Sequence, residues 1–62
     1  MNSDRQREAL RLIAAGDTVK QAARQMDCAP VTVEEHLRRA RIALDARNST
    51  HAVAIAIRRG LL

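Results

Sequence analysis

The sequence predicts an all-α protein of four short helices, with the second and third joined as a helix-turn-helix. Two observations carry that expectation. Apolar residues recur at i, i+3, i+4 and i+7 in consecutive stretches, which is the period of a helix with one buried face. Residues that start and stop helices also stand at the borders of those stretches: Ser3, Thr18, Pro30 and Asn48 or Ser49 at the starts, Gly16 and Gly60 at the ends. The helices fall at about 4–15, 19–26, 30–44 and 49–59, in a single domain spanning 1–62.

Ser3 followed three residues later by Gln6 has capping-box spacing, so the first helix starts near Asp4. Ala9, Leu10, Leu12, Ile13 and Ala14 form its apolar side, Arg5, Arg7, Glu8 and Arg11 its wet side, and Gly16 supplies a left-handed cap. Thr18 and Gln21 repeat the capping-box spacing for a short second helix, whose apolar face is Val19, Ala22, Ala23 and Met26. Lys20, Gln21, Arg24 and Gln25 face outward. Lys20 sits in the first turn, where free amides and the helix dipole favour an anion, so a phosphate there meets both; a solvated surface lysine is the plain alternative.

Asp27, Cys28 and Ala29 make the turn, and Pro30 supplies a φ suited to the first turn of the third helix. Val33, Leu37, Ala40 and Leu44 form its inward stripe. Two apolar stripes joined by so short a turn bury each other as an angled pair. The opposite face collects Val31, Glu35, Arg38 and Ile42, flanked by Glu34, Arg39 and Arg41. In a helix-turn-helix the early exposed residues of this helix meet base edges, which makes Val31, Glu34, Glu35 and Arg38 the candidate readers. Arg38 suits guanine O6 and N7, a carboxylate suits cytosine N4, and Val31 suits a thymine methyl. Against this stands a surface reading. Glu34 with Arg38 and Glu35 with Arg39 are i,i+4 pairs in the favourable orientation, and two carboxylates at groove-facing positions oppose attraction to phosphates.

Asp45, Ala46 and Arg47 connect to the fourth helix, which ends at Gly60. Ala52, Val53 and Ala56 point toward the rest of the chain, while Ala54, Ile55 and Ile57 carry apolar surface around most of the circumference. Ile55 and Ile57 are expected to lack a partner within so short a chain, and a second copy would cover them. His51 is expected to face solvent in the first turn, because no Cys or carboxylate stands at metal-ligand spacing from it.

The 62 residues support one small core worth only a few kcal/mol of net stability, which oligomerisation would supplement. One cysteine, no signal peptide and no apolar run long enough to span a bilayer fit a reducing, cytoplasmic setting away from membranes, with Cys28 as a small hydrophobe. Phe, Trp and Tyr are all absent, which removes the stacking platforms of single-strand and RNA readers but nothing that a duplex reader needs. The net charge is +4, and arginine supplies ten of the eleven basic residues, a composition suited to phosphate or equally to a solvated basic surface. No nucleophile–base pair, metal cluster or phosphate-cradling glycine loop is present, so no enzyme, cofactor or metal is expected, nor a small-molecule ligand within this chain.

The residues also carry a family pattern. A Thr-x-x-Glu start followed by Arg-Glu appears as Ser3, Gln6, Arg7 and Glu8, and a leucine-rich first helix with terminal glycine as Leu10, Leu12, Ile13, Ala14 and Gly16. A phosphate-facing Lys is Lys20, a scaffold Ala is Ala23, Thr-Val-x-x-His is Thr32, Val33 and His36, and the Asn of the last connection is Asn48. The closing pattern is Ala52, Val53, Ala56, Gly60 and Leu61. From about Asn2 to Leu62 the chain resembles the LuxR-type DNA-binding domain of bacterial transcription factors, the GerE- and FixJ-like group. It departs from that pattern at Asp27 (a turn glycine), Ala29 (a Ser cap), Glu34 (often Lys or Arg) and Ala43 (a basic residue).

The resemblance implies a four-helix domain that binds duplex DNA as a homodimer, with the third helix in the major groove and the fourth at the subunit contact. Thr18, Lys20, Thr32, His36 and Arg39 become candidate phosphate or positioning contacts, and Thr50, Ala54, Ile55, Ile57, Arg58 and Leu61 the candidate dimer surface. The expected function is sequence-specific transcriptional regulation in the bacterial cytoplasm, on the nucleoid when bound. Such domains sit behind a receiver or an acyl-homoserine-lactone-binding module, as in quorum sensing; a stand-alone regulator and an excised domain both fit the chain. The alternative is a small interaction module that heterodimerises with a full-length LuxR-type regulator and inhibits it, motivated by Glu34, Glu35 and Ile42 on the reading face.

Overall fold

The computed structural model describes residues 4–62. Its helices are α1 (Asp4–Ala14), α2 (Val19–Met26), α3 (Pro30–Ala43) and α4 (Ser49–Arg58), the expected all-α four-helix order. The expected α1, α3 and α4 each ran one residue further. Ala15, Leu44 and Arg59 still donate to the carbonyl four residues back, at 3.0 Å each, so they are half-in residues at the helix ends. The Ser3–Gln6 capping box lies outside the described residues.

The chain enters α2 through a complete capping box. Thr18 Oγ1 accepts from the Gln21 amide at 3.1 Å while the Thr18 amide donates to Gln21 Oε1 at 2.8 Å, which satisfies two donors that a helix start leaves open. At α4 the cap is Asn48, whose Oδ1 accepts from the His51 amide at 2.8 Å. Ser49 is thereby left to accept from Arg41 Nη1 at 3.2 Å, a tie between α3 and α4. The turn between α2 and α3 is held less well. Asp27 closes α2 in the left-handed region at φ 54, a conformation that glycine takes without strain, and Ala29 stands at the start of α3 with no side-chain acceptor. A bond not foreseen from sequence compensates: Arg5 Nη2 of α1 donates to the Met26 carbonyl at 2.6 Å and ties α1 to the end of α2.

The core is built of small residues. Ala9, Ala22, Ala40, Ala52 and Ala56 are fully enclosed and let the helices approach closely around Leu10 and Val33, the largest fully buried side chains. Among the described residues α1 and α3 each touch the other three helices, whereas α2 and α4 do not meet. The helix pair α1 and α3 is therefore the keel, and α3 has one side committed to the core and the other left to solvent.

One expectation for α4 is corrected. Ile55, expected to lack a partner within the chain, packs partly against the core, as do Val53 and Leu61. The helix leans on α1 and α3 with more of its circumference than its ten residues suggested, and Ile57 alone of the two isoleucines stays largely in solvent, 59% exposed.

Candidate nucleic-acid interface

The free side of α3 presents Val31 and Ile42 at 69% and 66% exposure, with Glu34, Arg38 and Arg39 exposed and Glu35 half-buried between them. A shallow depression on this side is lined by Val19, Val31, Glu34, Leu37, Arg38 and Arg41. The structure thus brings the four candidate readers, Val31, Glu34, Glu35 and Arg38, onto one face.

The ion pairs differ from those the spacing suggested. Arg38 pairs with Glu35, not Glu34: its Nη2 donates to Glu35 Oε1 at 2.8 Å and its Nε lies 3.2 and 3.3 Å from the two carboxylate oxygens. Arg39 Nε donates to the same Oε1 at 3.2 Å, the expected i,i+4 pair. Glu35 has an arginine at both i+3 and i+4, whereas the i+3 neighbour of Glu34 is the buried Leu37. Among the described residues the Glu34 side chain makes neither ion pair nor hydrogen bond. The bonds from Arg38 and then Arg39 hold the Glu35 carboxyl below the ordinary glutamate range, and Glu35 in turn makes Arg38 still harder to deprotonate.

The candidate phosphate contacts fall at two helix starts. Thr18 is committed to the α2 cap through its oxygen, and Lys20 is exposed in the first turn beyond it. Thr32 is exposed in the first turn of α3, His36 is half-buried one turn later, and Arg39 shares Glu35 with Arg38. Lys20 and Arg24 both line a second shallow depression, with Ala23, Asp27, Cys28 and Pro30, at the turn between the helices. Sequence position gives Arg24 only as an outward residue, yet its place four residues after Lys20 puts both cations on one side of α2.

On α4, Thr50, Ile57 and Arg58 are exposed and Ala54 and Ile55 are half-buried, as is Leu61 just beyond the helix. His51 is also half-buried and differs from expectation. Its Nδ1 accepts from the Arg47 amide at 3.1 Å, so the ring fastens the connection before α4 instead of simply facing solvent. Among the described residues no three His, Cys, Asp or Glu side chains gather as a metal group, and no helix is long and apolar enough to cross a membrane.

Residues 3–56 match the family model described as bacterial regulatory proteins, luxR family, a stretch that takes in α1, α2, α3 and most of α4. Against curated proteins, nothing matches the chain.

Proposed function

The chain belongs to the luxR family of bacterial regulatory proteins, and from that premise we propose that it reads duplex DNA by laying α3 in the major groove, as a homodimer joined through α4. Family membership makes the chain a DNA-binding regulatory domain. The observation that supports the finer reading is the divided character of α3: Val33, Leu37 and Ala40 are buried, while Val31, Arg38 and Ile42 stand clear on the other side. A helix held rigidly from behind and bare in front is what base-edge readout needs.

In this reading Arg38 donates to a guanine and Val31 meets a thymine methyl, while Glu35 is engaged with Arg38 and Arg39 and Glu34 stands beside them without a base partner. Lys20, Thr32, His36 and Arg39, with the Thr18 cap, fix the register on the phosphates, and Arg24 strengthens the field beside Lys20. Thr50, Ala54, Ile57 and Arg58 form the subunit contact, with Ile55 and Leu61 at its inner edge. Such a regulator works in the bacterial cytoplasm, on the nucleoid when bound. Selection of bound duplexes from a random-sequence pool tests this directly. The reading expects an enriched motif of two half-sites centred about 10 base pairs, or a multiple, apart; recovery of unenriched sequence overturns it.

One observation favours a second reading. Glu35 occupies two arginines of the face, and Glu34 and Ile42 are exposed beside them, which suits an inhibitor that pairs with a full-length LuxR-type regulator and binds DNA weakly by itself. Enrichment only when such a regulator is added distinguishes it.

A further inference from the structure

Arg38 meets Glu35 side-on. The bonds to the carboxylate use Nε and Nη2, and the Nη1 end has no partner among the described residues. A guanidinium has five N–H donors in a fixed fork, so the two that point along the Nη1–Nη2 edge remain open. That edge can match guanine O6 and N7 bidentately. Glu35 therefore restrains the side chain without using the donors that readout needs. The same carboxylate takes Arg39, and its charge lowers the attraction that these two cations offer to any phosphate.

We propose that Glu35 is a specificity-determining positioning residue, which holds Arg38 in a readout-ready pose and withholds it from the phosphates of arbitrary duplexes. The inference rests on the DNA-reading function proposed above. A free arginine can trade a base contact for a phosphate contact wherever the sequence is wrong, so binding becomes tighter and less selective. A restrained one must leave Glu35 to do so, and recovers its full contact only opposite the correct base.

Glu34 provides an internal control, because it neighbours Glu35, carries the same charge and makes no ion pair among the described residues. The experiment measures dissociation constants of wild type, Glu34→Gln, Glu35→Gln and Glu35→Asp for the selected duplex and for a random duplex of equal length, in one buffer. Their ratio is the selectivity. Circular dichroism establishes that each variant is folded. Glu35→Gln is expected to tighten random-duplex binding and reduce the ratio about threefold, the scale of an exposed ion pair. Glu34→Gln is expected to tighten both duplexes alike and leave the ratio unchanged, and Glu35→Asp to recover part of it. Slowed exchange of the Arg38 Nε proton in the free protein, lost in Glu35→Gln, reports the restraint itself. Equal ratios for Glu34→Gln and Glu35→Gln overturn the inference while leaving DNA reading intact. Failure of both wild type and Glu35→Gln to bind any duplex overturns the DNA-reading function as well.

Discussion

Glu35 Oε1 accepts from Arg38 Nη2 at 2.8 Å and from Arg39 Nε at 3.2 Å, so a single carboxylate oxygen holds two guanidiniums of the candidate DNA face. The face is less positive than the net charge of +4 implies, which leaves more of any phosphate attraction to residues such as Lys20 and Arg24 whose charge is not engaged there.

Lys20 and Arg38 should behave differently when truncated. Arg38→Ala should cost roughly 1–3 kcal/mol on the preferred duplex and relax preference at one base pair, whereas Lys20→Ala should weaken all duplexes alike and flatten the salt slope by about one. Competition binding with single-base variants of the selected site separates the two. Uniform loss across all variants for Arg38→Ala removes its base-reading role.

Asp27 and Ala29 are where the helix-turn-helix is least well held, so changes there should stabilise. Ala29→Ser adds the missing side-chain acceptor at the start of α3 and should contribute about 1 kcal/mol. Asp27→Gly removes a side chain from φ 54 and should stabilise by up to about 1 kcal/mol, offset in part by the greater freedom of glycine when unfolded. Urea unfolding followed by circular dichroism checks both, since the chain has no Trp or Tyr to report by fluorescence. A fall in midpoint for Ala29→Ser shows that the α3 amides already have another acceptor.

Thr18→Ala should cost about 1 kcal/mol in the same assay, because it leaves one of the two capping-box donors open at the start of α2. Arg5→Ala should cost a similar amount, about 1 kcal/mol, through the loss of its bond to the Met26 carbonyl. An Arg5→Lys chain as stable as wild type contradicts a need for the guanidinium there.

Glu35 also fixes the sign of an acid effect. Its carboxyl titrates below the ordinary glutamate range in the folded chain, so the ion pairs stabilise the fold above the ordinary value and the contribution disappears as pH falls through the lowered one. Side-chain carbon shifts should therefore give Glu35 a low midpoint that rises when Arg38 is replaced by Met. An unchanged midpoint means that Arg38 does not hold Glu35 in solution.

Ile57→Asp should give a folded monomer that binds a two-half-site duplex much more weakly than wild type. Ile55→Asp, placed partly against the core, should lose stability as well. Sedimentation with interference optics and thermal melting distinguish the two outcomes. A wild-type chain that is monomeric at millimolar concentration, with and without DNA, contradicts the α4 contact.

The helices were legible because their causes are local. Thr18 and Gln21 are three residues apart, Val33, Leu37 and Ala40 follow one helical stripe, and Gly16 stands at a left-handed position, φ 100, that few other residues accept. What the sequence did not reveal depends on distance across the fold or on a choice among equal local options. Arg5 reaches a carbonyl 21 residues away, and nothing in its own helix points there. Ile55 finds the core because α4 leans on both α1 and α3. Glu35 and Glu34 offered Arg38 neighbouring spacings, i,i+3 and i,i+4, and nothing local to the sequence marks Glu35 as the one it takes. Which residues share the exposed face of α3 could be read from position along the helix, whereas the order of attachment among its charges could not.

DNA reading itself is tested most directly by the dependence of affinity on salt. Binding of the wild-type chain to the selected duplex, followed by fluorescence anisotropy of labelled DNA over a salt series, should give a linear fall of log affinity with log salt. The slope should be roughly −0.9 for each phosphate contacted, with tighter binding to the selected than to a random duplex at every salt concentration. A slope near zero, or equal affinity for the two duplexes throughout, contradicts it.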